Sequence, residues 1–365
     1  MTMAEFLPWH RQAATQWLGN RDRFAHAWLV HGLAGTGLRE FAFAAAASLL
    51  CESPVAGLAC GKCPACGWVT SGNHPDLRRV RPEAVALEEG AQQDDEGEDG
   101  QESGGAAVDT GGSGKRAASK EIRVEQIRAL EPWFNNATHR GGWRVALLYP
   151  AEALNAISGN ALLKVLEEPP PSTVFLIVAD APDRLLPTLL SRCRRLPLPT
   201  PTHDQARGWL QAQGVASPDD WLAAAGGAPI LAAKLIANQT AASPDWLGGL
   251  LRGLAQGASP DIGTLADAVS KQPAIDWIDP LHRLCVDLTL ASHGLAVRYY
   301  PALAAQSASI AQRADCVALA ELAHYVQQQR RVAGHPLAAK LFAHAVLQRM
   351  ATACRPARSA PALPS

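Results

Sequence analysis

Two groups of residues in this sequence have types and spacings that could do chemistry. Cys51, Cys60, Cys63 and Cys66 fall within sixteen positions, whereas Cys193, Cys285, Cys316 and Cys354 are scattered singly. Four soft thiolates are enough for a closed tetrahedral site, and such a set fits Zn²⁺. With no open coordination position, the metal would be structural, not hydrolytic. Gly61, Pro64 and Gly67 are expected to turn the backbone tightly so that its amides approach the sulfurs. His74 is a conceivable spare ligand, but His74-Pro75-Asp76 fits better as the start of a strand. Clustered cysteines in a chain with no secretory features are better read as metal ligands than as disulfides.

The second group is Gly32, Gly35 and Gly37. Gly32 and Gly37 have the spacing of the phosphate-cradling loop G-x-x-x-x-G-K-[ST], whose amides wrap phosphate, whose lysine neutralises it and whose hydroxyl holds magnesium. Here the lysine position is Leu38 and the hydroxyl position is Arg39, and there is no lysine from Met1 to Gly61. A second strand, Val145 to Leu148, would carry the metal-holding and water-activating carboxylates of an active ATPase. It is followed instead by Tyr149 and Pro150, with Glu152 displaced further along. Without these groups phosphoryl transfer loses its main electrostatic support. The expectation is a loop that keeps its shape and has lost its chemistry.

The elements that must position these groups are legible from apolar periodicity. Pro8 to Leu18 reads as a helix, Ala27 to Val30 as a strand, and the alanine-rich stretch from Leu38 to Cys51 as a helix. Leu77 to Val80 reads as a strand, Val124 to Asn135 as a helix, and Val145 to Leu148 as a buried strand. Asn155 to Glu168 is helical and is stopped by Pro169-Pro170-Pro171. Thr173 to Val178 is another buried strand, with Asp180 just beyond it, and Arg184 to Ser191 is a helix. Alternating strands and helices imply a parallel sheet covered on both faces. Beyond Pro197, Pro199 and Pro201 no strand is expected: Gln205 to Asn238 reads as a small helical unit and Leu247 to Cys354 as longer helices.

The fold class is therefore α/β followed by all-α. The expected domains are 1–200, with the cysteine module at 51–66, then 201–242, then 243–354, then a flexible tail at 355–365. Residues from about 84 to 120 are acidic and then rich in Gly, Ser and Ala; they cannot bury enough apolar surface to offset their ordering entropy and are expected to be a disordered insertion. The formal net charge is −1, and a chain that wrapped DNA would carry a basic excess. No apolar run approaches the length of a membrane span. The opening residues lack a basic head and apolar stretch, so a cytoplasmic location is expected.

Two further motifs carry a resemblance. Asn160-Ala161-Leu162-Leu163-Lys164-Val165-Leu166-Glu167-Glu168-Pro169-Pro170, followed by Ser191-Arg192-Cys193, resembles the bacterial clamp-loader subunits of DNA polymerase III, within the AAA+ superfamily. The cysteine cluster occupies the corresponding place in that family. The lost phosphate-handling groups make the chain similar to the non-hydrolysing delta-prime branch. The resemblance implies an AAA+ domain with an inserted zinc module, a small helical lid and a helical collar. It implies that Arg192, with Ser191 and Cys193 completing the motif, is an arginine finger donated in trans to ATP bound by the neighbouring subunit. An arginine of that kind is typically worth about 10³–10⁵ in rate. It also implies partners: gamma/tau-type ATPase subunits and a delta subunit in a hetero-pentamer, with indirect contact to sliding clamp and primer-template DNA and none to membranes. The chain would then have no ATPase or polymerase activity of its own while being a subunit of a DNA-directed DNA polymerase. In the lid, Gly226-Gly227-Ala228-Pro229 aligns with the family's sensor turn, and Pro229 stands where a sensing arginine would be.

Two other readings compete. A catalytically active AAA+ ATPase or helicase loader would need the absent lysine and carboxylates. A zinc-dependent DNA-binding protein would need a basic stripe, and Lys62 is the only basic residue within the cysteine cluster.

Overall fold

A computed structural model describes residues 5–19, 24–90, 118–139, 141–239, 241–258, 260–335 and 338–356. The chain divides into two compact units, Met1–Pro201 and Thr202–Ser365.

The first unit is built on a five-stranded parallel sheet in the order β2-β3-β4-β1-β5. Its strands are β1 (Ala27–His31), β2 (Leu77–Val80), β3 (Arg144–Leu148), β4 (Thr173–Ala179) and β5 (Arg194–Pro197). Strands β3 and β4 are buried along their whole length, as expected of the centre of a sheet covered on both sides. Successive residues face opposite ways. Trp28, Val30, Val145, Leu147, Leu176 and Val178 join the core under α1 (Arg11–Leu18) and α2 (Leu38–Leu50). Leu29, Ala146, Leu148, Phe175 and Ile177 face the other core.

That second core is covered by four helices. They are α5 (Val124–Arg128), α6 (Leu130–Asn135), α7 (Ala156–Glu167) and α8 (Pro187–Arg192). Between α2 and these lie α3 (Pro64–Ser71) and α4 (Glu83–Glu88).

Four differences from the sequence reading have local causes. The helix expected over Val124 to Asn135 is two helices, because Pro132 has no N–H to continue the ladder from α5. The helix expected from Arg184 starts only at Pro187, after a separate 3-10 turn at Pro182–Arg184. Arg194–Pro197, read as a proline-rich boundary, is an edge strand pairing in parallel with β1; its residues are mostly exposed, so no apolar signal marks it. The insertion expected at about 84 to 120 begins with a helix, α4, whose Val85 packs against the α2 side of the core. Residues 91–117 of that expectation, and 357–365 of the expected tail, lie outside the described residues. The described ends of the insertion meet: Ala84 N donates to Ser119 O (3.0 Å) and Ser119 N to Glu83 Oε2 (2.9 Å).

The second unit is helical throughout its described residues. A small core (Ala206, Leu210, Leu222, Ala225, Ala232) joins α9 (His203–Ala212), α10 (Pro218–Ala224) and α11 (Pro229–Asn238). A larger one gathers α12 (Asp245–Ala255), α13 (Ile262–Val269), α14 (Ala274–Ser292), α15 (Ala304–Ala311), α16 (Cys316–Val332) and α17 (Ala339–Ala353). Within it the buried carboxylate of Asp287 accepts the amides of Arg298, Tyr299 and Tyr300 at 2.7 to 3.2 Å, fixing the chain between α14 and α15. Among the described residues no single helix is long and apolar enough to cross a membrane.

His10, just before α1, is fully buried, with its ring edge-on to Trp9 and Phe41 at 5.8 and 5.6 Å. Burial lowers its pKa from 6.5 to about 4. Between these values the unfolded chain binds the proton and the folded chain does not. Stability is therefore complete above pH 6.5 and is lost as pH falls towards 4, by up to roughly 3 kcal/mol. Urea unfolding from pH 7 down to 4.5 is expected to show this loss in the wild type and a flatter profile in His10→Leu; equal profiles would place the acid sensitivity elsewhere.

Candidate functional site

The turn after β1 has the backbone of a phosphate loop. Gly35 and Gly37 adopt φ of 73° and 99°, open to glycine, and Gly37 caps α2. The turn is held from within by Thr36, whose hydroxyl donates to Leu33 O (2.7 Å), and from outside by Trp9 Nε1, which donates to Thr36 O (2.9 Å). Its interior is apolar. Leu38, at the lysine position, is buried, and a Cβ added at Gly32 would meet its Cδ2 at 3.1 Å and Leu198 O at 3.3 Å. An aliphatic side chain thus fills the space beside Gly32, where the motif would send a cation forward. Arg39, at the hydroxyl position, pairs with Glu40 (3.2 Å) and Glu89 (3.3 Å).

The other phosphate-handling positions are similarly diverted. Tyr149 and Pro150 follow β3, and Glu152 lies in a 3-10 turn, Ala151–Ala153. Its Oε1 accepts the amide of Ala181 at 2.5 Å, so it ties the segments after β3 and β4 together. Asp180 is exposed at the end of β4. In the second unit Gly226 and Gly227 form a left-handed turn, and the following Ala228 caps α11, which Pro229 opens, buried and without charge.

Arg192 is the last residue of α8, which packs against α7. Asn155 caps α7 by accepting from the amides of Ile157 (3.1 Å) and Ser158 (2.9 Å). At Gly159 a Cβ would come within 2.9 Å of Leu186 Cδ1, so a larger residue there would push the Leu186 side chain aside. The Arg192 guanidinium donates to Thr188 O (3.0 Å) and pairs with Glu167 at the end of α7. Ser191 Oγ donates to Thr188 O (2.9 Å), a helix-end bond. Cys193 is buried, and burial pushes its thiol up to about 11, which leaves it protonated. Arg194 lies over the ring of Trp28 (5.4 Å), so the neighbouring arginines are differently employed. The Glu167–Arg192 pair spans 25 positions, and no sequence signal announced it.

The four cysteine sulfurs all lie within 4.8 Å of one another. Cys51 and Cys63 are 3.8 Å apart, close to the sulfur separation of a tetrahedral site with Zn–S near ~2.3 Å. The amides of Cys60 and Lys62 point at Cys51 Sγ (3.3 Å) and Cys60 Sγ (3.4 Å), the donors that stabilise bound thiolates. The amides of Lys62 and Cys63 lower the Cys60 pKa to about 6, whereas burial raises those of Cys51 and Cys66. Gly61 makes the knuckle with φ of 70°, and Pro64 opens α3. Gly67 corrects the sequence reading: it lies inside α3, its amide donating to Cys63 O (3.1 Å), and makes no turn. His74 is no ligand here; its Nδ1 accepts the amide of Asp76 (3.1 Å) at the approach to β2. The residues fit a structural zinc ion, which would tie the segment after α2 to α3.

These features define a parallel α/β domain with an apolar glycine turn after its first strand, a four-cysteine cluster that could hold a metal ion, and a half-exposed arginine at the end of α8. A family model described as DNA polymerase III, delta subunit, matches residues 13–202, just over half of the chain, and the chain belongs to that family. It is 38% identical over 237 residues to the DNA polymerase III subunit delta' of Pseudomonas aeruginosa, covering 64% of this chain and 62% of that one. It is 32% identical over 199 residues to the subunit delta' of Escherichia coli K12, covering 54% and 50%. The chain thus spans about half to under two thirds of the length of these curated relatives. A crystal structure of a DNA polymerase III gamma subunit-related protein from Thermotoga maritima superposes with a TM-score of 0.44 at 14% identity, covering 95% of this chain and all of that one.

Cys63→Ser removes one of four ligands, and metal content is the direct check. Purified wild-type chain is expected to carry about one zinc per chain by elemental analysis, the variant far less, with a loss of several kcal/mol in stability. Equal metal in both would rule out a four-thiolate site.

Proposed function

We propose that the chain is a non-hydrolysing subunit of the DNA polymerase III clamp loader, presenting Arg192 as an arginine finger to ATP held by a neighbouring ATPase subunit. The observation that carries this reading is a contrast within one domain. Where phosphate chemistry needs a cation, Leu38 is sealed beside Gly32. At the end of α8, by contrast, a guanidinium stands 35% exposed, held by a carboxylate that is itself half exposed. A permanently charged, planar donor at a rigid helix end is suited to a phosphate arriving from outside the chain.

The relatives support the setting, since their names assign them to DNA polymerase III as delta' or tau subunits. In this reading residues 1–200 are the degenerate AAA+ domain, 201–242 the lid and 243–354 the collar that joins gamma/tau-type and delta subunits into a pentamer. Sliding clamp and primed DNA are contacted through the assembly, in the cytoplasm. Zinc serves the first domain's fold, and ATP belongs to the neighbour.

With Arg192→Ala, assembly with the ATPase subunits is expected to be unchanged. DNA-stimulated ATP turnover at the adjoining site is expected to fall by at least about tenfold, a conservative figure for a trans arginine. Arg192→Lys should not restore it, because the bidentate fork is lost. Undiminished turnover in the reconstituted complex would overturn the assignment.

A further inference from the structure

The carboxy-terminal edge of a parallel sheet is where open α/β folds place their ligands. At that edge this chain gathers three donors, each following a different strand. Arg39 lies in the first turn of α2 after β1, Arg81 directly follows β2, and Tyr149 directly follows β3. Helix α4 returns to them, and its C-cap residue, Glu89, fills the space they enclose. Arg39 Nη1 lies 3.3 Å from Glu89 Oε1, Arg81 Nε lies 3.0 Å from Oε2, and Tyr149 Oη donates to Oε2 at 2.9 Å. The Arg81 and Glu89 side chains are 10% and 16% exposed and Tyr149 is buried with its ring edge-on to Phe43 at 5.4 Å, whereas Arg39, which also pairs with Glu40 at 3.2 Å, is 37% exposed.

We infer that Arg39, Arg81 and Tyr149 form a latent oxyanion site at the sheet edge and that Glu89 is its resident anion, excluding phosphate groups from the chain's own vestigial loop. Arg39 and Tyr149 donating hydrogen bonds, with the Arg81 guanidinium at ion-pair distance, make a cationic set of the kind that a phosphate would use. Covalent attachment gives Glu89 a high effective concentration, so free phosphate cannot compete with it. Leu38 fills the loop with an aliphatic chain, and Glu89 takes up the guanidinium of Arg39, which stands at the loop's hydroxyl position. This holds independently of the role of Arg192, which lies on a different helix and faces a different carboxylate.

The test measures inorganic phosphate and ATP binding by calorimetry and thermal shift, with chloride at matched ionic strength as reference. The full chain is compared with Glu89→Gln, which keeps the side chain's shape and removes its charge, and with Glu89→Ala. Wild type is expected to respond to phosphate no more than to chloride. Glu89→Gln is expected to bind inorganic phosphate at least about tenfold more tightly than wild type. Adding Arg81→Gln should abolish that gain. Should Glu89→Ala fold poorly, Glu89→Gln carries the comparison by itself. An ATP gain in either variant that survives Arg81→Gln would overturn the assignment, as would a folded Glu89→Gln chain that ignores phosphate, or a wild type that binds it equally well.

Discussion

A guanidinium cannot be discharged at any pH a cell reaches, so wherever a fold holds one away from open water it must supply acceptors, whether carboxylates or backbone carbonyls. Buried Arg144 is met by the carbonyls of Phe134 and Asn136, and two other arginines of the first unit pair with carboxylates at different degrees of burial. Arg81 and Glu89 are paired deep at the sheet edge and reinforced by Arg39 and Tyr149. Arg192 and Glu167 are paired near the surface, at the ends of two helices. The turn after β1 is held by Thr36, Trp9 and two left-handed glycines.

The architecture makes these pairings possible. Because every strand of the sheet runs the same way, residues distant in sequence arrive at one edge, and Arg39, Arg81 and Tyr149 share that edge although they precede three different stretches of chain. Helix α7 is capped at its start by Asn155 and meets Leu186 at Gly159 in its first turn. Its last residue, Glu167, is thereby delivered to the end of α8 by helix geometry, not by a loop. A metal ion held by the four cysteines would do a comparable job for the segment between α2 and α3.

Much of this was legible in the amino-acid order. Long apolar strands such as Thr173 to Ala179 and the alanine-rich α2 announce themselves, because burial on both faces leaves no polar alternation to confuse the pattern. The cysteine spacing and the Leu38 and Tyr149 replacements were equally readable, since each departs from a motif of fixed chemistry. What escaped was of two kinds. Edge strand β5 is mostly exposed and contains a proline, so neither apolar content nor propensity betrays it. Long-range pairs leave no local trace: nothing around Glu89, in a stretch of acidic and small residues, points to Arg81 and Tyr149. The resemblance to clamp-loader subunits singled out Arg192 as the motif arginine, but not the carboxylate that orients it.

The surface pair at the end of α8 has a mechanical consequence. An ion pair as exposed as this one is worth little, on the order of 0–1 kcal/mol, because water competes for both members. It therefore sets the direction of the guanidinium without committing much free energy to keeping it there. Swapping one anion for another then requires neither ionisation nor the opening of a core, only a rotation about a few side-chain bonds. A tether of that strength behaves as a detent: firm enough to keep the side chain from wandering over the surface, weak enough that a better-placed charge can lift it out.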